Sequence, residues 1–413
     1  MRKQISFYAL LIAEAFSISG TMLSSMAIPW LVLTITGSPV LTGLVAMTEM
    51  IPYVIAKVLG GPLIDRIGAK KIAVFCDTFS VMIIALIPLL HWMDKLSMPI
   101  LFPVVFLMGL LRGPADAAKS SLVPDIAELT KMPLERLTGM AGAIQRLAST
   151  IGTAGAGALI ALMGPSQALA INAIGFTFSA LIIAIGIPLI SPAKHIQTEG
   201  KITSYVKELL EGWHFLRKDV VLVSIVLMVA AINLLDQAFF VVMMPVWAKT
   251  NAYGTEMLGI VLAAFSGSSV VGSIIASFIG SRMPRLPVYV IAFLLTGFPR
   301  FLVFALSAPL PMVFMTLSIA GLAAGFINPI LFAVLFERTP KAMTGRVMSI
   351  FQAACFALLP FGGLLGGTLV SFSGLSNTFM AIGVIYLILT LSPLTIKGFR
   401  DFGKRKINDF EVS

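Results

Sequence analysis

Twelve apolar runs of about 20 residues constrain this chain more than any other feature, since that length carries an α-helix across a bilayer core. Windows of about 19 residues place them at roughly 7–33, 39–60, 72–93, 99–120, 138–163, 168–190, 219–247, 256–280, 287–307, 310–336, 346–371 and 376–396. Lipid offers the backbone no hydrogen-bond partner, so each run must close its own bonds as a helix. The expectation is an all-α integral membrane protein with twelve transmembrane helices in two six-helix bundles. A soluble domain carries about a quarter charged residues; here 12% are charged and 58% hydrophobic. A soluble α/β enzyme is excluded.

The formal net charge of +10 would suggest nucleic acid on a soluble chain. On a membrane protein the placement of the charge decides, because Lys and Arg collect in cytoplasmic loops. With the N-terminus inside, the inner segments hold Arg2, Lys3, Arg66, Lys70, Lys71, Lys119, Arg217, Lys218, Arg285, Arg338, Arg346 and further basic residues, whereas the outer loops hold Lys95 and Lys249. Both termini are therefore expected in the cytoplasm, with no nucleic-acid partner. The first run lacks a small-residue cleavage site and reads as a retained helix. Cys76 and Cys355 both fall in apolar stretches, which gives no disulfide framework, and His91, His195 and His214 are scattered. No metal site is expected.

The polar stretch 191–218 is the seam. It divides the chain into an N-terminal bundle (1–190), a cytoplasmic linker (191–218), a C-terminal bundle (219–396) and a cytoplasmic tail (397–413). Tyr205–Arg217 sets apolar residues opposite charged ones at helical spacing, so an amphipathic helix at the inner surface is expected. The halves echo one another weakly: Asp65-Arg66-Ile-Gly-Ala-Lys between spans 2 and 3 has a counterpart, Ser281-Arg282-Met-Pro-Arg285, between spans 8 and 9. Parallel duplication of this kind builds one large transporter class, with substrate bound between the halves.

The pattern Gly61-x-x-x-Asp65-Arg66-x-Gly68, followed by Lys70 and Lys71, resembles motif A of the major facilitator superfamily, with Ala69 where that family usually carries Arg. Arg112-Gly-Pro-Ala-Asp-Ala-Ala-Lys-Ser-Ser-Leu-Val-Pro124-Asp125 and Thr344-Gly345-Arg346-Val-Met-Ser resemble its bacterial drug-efflux branch, which includes macrolide-efflux proteins and an enterobactin exporter. The resemblance implies a secondary transporter working by alternating access, a proton-coupled antiporter that exports drugs or amphipathic small molecules. It would be a monomer in a bacterial plasma (inner) membrane, need no cofactor beyond the proton gradient, and not be an enzyme. Siderophore, metabolite or lipid export and uniport stay open within the fold, and a non-transporting sensor or scaffold stays open outside it. The resemblance further implies that Asp65 faces span 11 near Gly345 and Arg346 when the cytoplasmic side is closed, with Gly61 allowing close approach. The other reading of this loop is a charged turn that only sets topology.

Ionisable residues inside spans are costly and functional by default. They are Glu14, Glu49, Asp77, Asp116, Asp236, Lys57, Arg112, Arg146 and Arg300. Asp77 with Arg112, and Asp116 with Arg146, lie at similar depths and are expected as structural pairs. Lys57 can snorkel to the inner interface. Glu14 and Glu49 lie nearer mid-membrane with no basic residue at comparable depth in their two helices, and a carboxyl in an apolar cavity can trade a proton near neutral pH. Glu14, Glu49 and Asp77 are thus the proton-coupling candidates. Asp236 and Arg300 either pair with each other or line the outer part of a cavity. Gly152, Gly155 and Gly157 read as helix packing on span 5, at the position of the antiporter motif but without its usual Gly-Pro. Pro29, Pro299, Pro329 and Pro360 are expected to interrupt helices. No Walker A, HExxH or GxSxG pattern occurs, so neither ATP-driven transport nor intramembrane hydrolysis has support.

Overall fold

The computed structural model describes residues 2–132, 134–189, 201–279, 283–340, 343–396, 399 and 402. Among these, twelve helices are long and apolar enough to cross a membrane. Spans 1–6 are Ile5–Thr36, Pro39–Lys57, Ala69–Trp92, Met98–Thr130, Leu137–Met163 and Pro165–Gly186. Spans 7–12 are Val220–Thr250, Gly254–Ile279, Arg285–Ala305, Leu310–Arg338, Arg346–Ser373 and Leu375–Thr395. Between the sixes lies the amphipathic helix Lys201–Lys218. The first part of the linker (191–200), the counterpart loop at Ser281 and Arg282, and most of the tail from 397 onward lie outside the described residues.

The chain forms two compact units. Unit 1 comprises Met1–Gln197 with Met244–Ala263, and unit 2 comprises Thr198–Met243 with Ala264–Ser413. The end of span 7 and the beginning of span 8 thus group with unit 1, beyond the seam read from the sequence.

Close packing inside each unit rests on glycine. Span 4 carries Gly109 and Gly113, where a Cβ would lie 2.0 Å from the Glu49 carbonyl oxygen and 2.6 Å from that of Tyr53. Only glycine lets the backbones of spans 2 and 4 approach so closely. In unit 2, Gly321 and Gly325 of span 10 stand in the same way against Phe265 and Ser273 of span 8. The duplication is therefore written in two GxxxG pairs, Gly109/Gly113 and Gly321/Gly325, more clearly than in the loops. On span 5, Gly152 packs on Ser19 of span 1 and Gly157 meets Gly259 inside unit 1, but Gly155 faces open space, so it packs against nothing as a glycine.

Two of the four expected proline breaks are absent. Pro29 sits inside the continuous helix Arg2–Thr36 and Pro329 inside Leu310–Arg338. Neighbouring helices hold these segments straight enough to tolerate the lost bond. Pro299 and Pro360 do follow breaks: span 9 is split at Gly297 into Arg285–Thr296 and Phe298–Ala305, and span 11 into Thr344–Phe356 and Leu359–Ser373. Span 7 contains a π-helical turn, Phe239–Met243, a local widening often found at functional sites.

Candidate functional site

The glycine contact of spans 2 and 4 decides the first ion pair. Arg112, flanked by Gly109 and Gly113, is carried against span 2, and its Nη1 donates to Glu49 Oε1 at 2.6 Å. Both side chains are nearly sealed, 11% and 7% exposed. Glu49 therefore has a basic partner on span 4, outside the two helices that the sequence reading compared. One turn along span 2, Tyr53 lies under the guanidinium, 4.5 Å from its ring centroid. Its hydroxyl donates to Asp116 Oδ2 at 3.1 Å and accepts from Lys57 Nζ at 3.1 Å. Asp116 thus answers to Tyr53, whereas Arg146 is exposed and has no ion pair among the described residues. The expected Asp116–Arg146 pairing does not occur: Asp116 is taken by Tyr53 and Arg146 is exposed.

The expected Asp77–Arg112 pairing is likewise replaced. Asp77 takes Lys119, at 2.8 Å to Oδ2 and 2.9 Å to Oδ1. Lys119 also donates to Ser17 Oγ at 2.7 Å, and Ser179 Oγ donates to Asp77 Oδ2 at 2.7 Å. Lys119 and Asp77 are 4% and 0% exposed, so Lys119 is a buried residue of span 4 and not a cytoplasmic one. Span 4 runs on to Thr130, well past the end read from hydropathy, and that extension encloses it. Glu14, half-buried one turn before Ser17, lies in electrostatic reach of Lys119 and Asp116. A cavity of about 10 Å³ opens between Thr21, Ser24, Ser80, Glu49 and Arg112, room for a single water. Ser80 stands one turn from Asp77, so the two ion pairs of unit 1 are joined by polar groups and one small void.

Sequence reasoning missed Tyr53, Lys119, Ser17 and Ser179. A signal was present: Glu49, Tyr53 and Lys57 lie at i, i+4, i+8, and Arg112, Asp116 and Lys119 at i, i+4, i+7, so each set shares one helix face. Two polar faces inside a bilayer are expected to meet.

In unit 2, Arg300 pairs with Asp236. Asp219 caps span 7 by accepting from Val221 and Leu222 N–H at 3.0 and 3.3 Å, and also accepts from Arg338 Nε at 3.0 Å. Arg338, read as a cytoplasmic charge, is in fact a buried partner in this cap. Arg346 donates to Glu211 of the amphipathic helix at 2.8 Å, and Gly212 packs on the Arg346 carbonyl. At motif A, Gly61–Ile67 form a short helix that ends at Gly68, whose φ of 99° suits glycine. Lys70 Nζ ties this turn to the Ala184 carbonyl at the end of span 6 at 2.7 Å, and Arg66 is exposed. The Asp65 side chain lies outside the described ones. Among the described residues no group of three His, Cys, Asp or Glu is placed to hold a metal ion.

Paired charges buried inside membrane spans commonly mark ion or substrate paths, and the comparisons identify the chain as a transporter. Residues 1–400 match the family described as transmembrane secretion effectors. The multidrug efflux pump Tap of Mycobacterium bovis is 28% identical over 398 residues, covering 95% of this chain and 94% of that one. Its namesake in Mycolicibacterium fortuitum is 26% identical over 395 residues, covering 93% of each. Among solved structures, the nucleoside transporter NupG aligns with a TM-score of 0.73 at 15% identity, over 97% of this chain and 100% of that one. A POT family transporter in complex with a thioalcohol-conjugated peptide aligns with a TM-score of 0.73 at 14% identity, over 94% and 95%; both show the fold alone. The chain belongs to the transmembrane secretion effector family of the major facilitator superfamily, as a multi-pass transporter of the bacterial inner membrane and not an enzyme.

Proposed function

We propose that this protein exports drugs or amphipathic small molecules by alternating access, driven by inward proton movement through the polar core of unit 1. The observation that carries the reading is the Glu49–Arg112 pair at 2.6 Å with a second carboxylate, Asp116, in reach of the same guanidinium. A proton taken by Glu49 discharges the pair. Arg112 then has Asp116 one helical turn away, already oriented by Tyr53, so the guanidinium is never left uncompensated in a site where an unpaired charge is costly. Asp77, Lys119 and Glu14 form the neighbouring relay, reached through the void beside Ser80. The similarity to multidrug efflux pumps supports drug-like cargo. The basic residues of the inner loops support termini on the cytoplasmic side, and a single chain is taken as the working unit. The loop Gly61–Lys71 is the cytoplasmic gate of this scheme.

The test is flux into or out of proteoliposomes under an imposed pH gradient. Glu49→Gln keeps a hydrogen-bonding partner for Arg112 but cannot carry a proton. Gradient-driven flux is expected to fall by about 100-fold or more, the lower end of the scale on which general acid–base groups act, with thermal stability retained. Unchanged flux in both Glu14→Gln and Glu49→Gln would remove unit 1 as the coupling site.

A further inference from the structure

Unit 1 holds a second cavity, of about 590 Å³, between spans 2, 3 and 4, a volume in the range of small-molecule sites. None of the paired charges of the polar core lines it. It lies at the turn out of span 2. That span ends at Gly60, where a Cβ would stand 3.5 Å from Pro114 of span 4, and the chain continues as the short helix Gly61–Ile67. Leu59, Leu63, Phe75 and Leu111 form the walls, with the Cys76 thiol among them. Leu59 and Phe75 are 66% and 54% exposed, so the cavity opens on the surface of the unit. Among the described residues its one charged lining side chain is Lys71, in the first turn of span 3. The neighbouring Lys70 is occupied by the Ala184 carbonyl. Lys71 is exposed and makes no hydrogen bond or ion pair with a described residue.

The geometry points to a binding site for one anionic phospholipid, with an acyl chain along Leu59, Leu63 and Phe75 and the phosphate on Lys71. Lys71 and Phe75 are four residues apart on one helix, about 6 Å along its axis, so the cation and the apolar wall are offset as a headgroup and the upper part of its chain are. The charge around the mouth has one sign. Residues 65–71 carry Asp65 against Arg66, Lys70 and Lys71, a surplus of two positive charges. Gly68, the N-cap of span 3, has no side chain to cap the helix, and the positive end of the helix dipole adds to the same preference. A neutral amphiphile covers the walls but leaves Lys71 unanswered, and a free phosphate does the reverse. A phospholipid with net negative charge satisfies both, since burying the walls removes apolar surface from water and a lysine near the membrane surface attracts anionic lipid. Such a lipid bridges the short helix Gly61–Ile67 and spans 2, 3 and 4, and its binding does not depend on the export reading.

The test is native mass spectrometry of the full-length protein, delipidated in detergent and titrated with phosphatidylglycerol or with phosphatidylcholine of the same chains. The first phosphatidylglycerol is expected to bind about fivefold tighter than the first phosphatidylcholine, the weight of one lysine near an anionic lipid surface. Lys71→Gln should bring the two lipids within about twofold of each other, and Lys71→Arg should keep the preference. Phe75→Ala should weaken both lipids and leave their ratio unchanged. Lys71 and Phe75 are both exposed, so these variants are expected to fold. A preference that is missing from the wild type, survives in Lys71→Gln or is lost in Lys71→Arg overturns the site. Competition by glycerol phosphate, the headgroup without chains, overturns the role of the cavity and leaves an anion contact alone. Oleate binding tighter than phosphatidylglycerol overturns the phospholipid in favour of a single-chain amphiphile. Glu49-dependent flux decides the export reading separately.

Discussion

Glu49–Arg112 in unit 1 and Asp236–Arg300 in unit 2 are both carboxylate–guanidinium pairs within spans, and the two are built differently. Glu49 and Arg112 are sealed to a similar degree, 7% and 11%, and the guanidinium has a second carboxylate, Asp116, within reach. Arg300 is closed off by the rings of Phe239, Phe240, Phe301 and Tyr386, has no second carboxylate partner among the described residues, and leaves Asp236 open. A pair with an internal alternative can exchange partners without a ligand. A pair whose cation can only fall back on aromatic rings offers its anion outward. The glycine scaffold of the two units repeats, through Gly109/Gly113 and Gly321/Gly325, but Ala324 stands in the second pair where Arg112 stands in the first. Duplication kept the packing and let the charges diverge.

The largest effect that follows from this contrast is on stability. Lys119→Met leaves Asp77 fully buried without its cation, and should cost about 3–5 kcal/mol. Adding Asp77→Asn to Lys119→Met should recover much of that, because no charge is then stranded. Arg300→Met leaves Asp236 partly exposed rather than sealed and should cost less, about 1–3 kcal/mol. Unfolding of the purified variants in one detergent gives the ranking. If Arg300→Met is as damaging as Lys119→Met, the difference in exposure between the units is without consequence.

The next effect concerns what the units share. Gly109→Ala and Gly321→Ala each force a Cβ onto a carbonyl of the adjacent helix, at 2.0 and 2.1 Å. Each should cost about 1–3 kcal/mol by overpacking. Gly155→Ala meets nothing within 4 Å and should stay within about 0.5 kcal/mol of wild type. A large loss at Gly155, or none at Gly109 and Gly321, would break the claim that the repeated pairs carry the scaffold.

These positions also mark how far the sequence could be read. Span number, span order and the amphipathic linker helix follow from hydropathy alone, since lipid leaves an apolar 20-residue run little choice but a helix. Which charges meet does not follow, because it depends on helix rotation. Depth alone matched Asp77 with Arg112, whereas the Gly109/Gly113 face turns Arg112 toward Glu49 and leaves Asp77 to Lys119. Lys119 was hidden by a hydropathy window that ended span 4 near residue 120, short of the helical end at Thr130. Arg338 was hidden likewise, as a charge at a helix end that turns inward to Asp219. The Asp236–Arg300 pair was one of two readings, and only the cage around Arg300 gives it a direction.

The smallest expected effect tests the surface of unit 2 against its interior. Glu211 and Arg346 join the amphipathic helix to the start of span 11 at 2.8 Å, but they are 44% and 38% exposed. Water screens such a pair, and holding two long side chains in place costs rotamer entropy. Glu211→Gln should therefore change stability by no more than about 1 kcal/mol, and the change should shrink further at high salt. The packing of Gly212 on the Arg346 carbonyl, with a Cβ position 3.0 Å away, does not depend on charge. Gly212→Val should then cost more than Glu211→Gln, and its cost should be insensitive to salt. If the order is reversed, the linker helix is held by its charges, and the electrostatics of unit 2 reach the inner surface as well as the Arg300 cage.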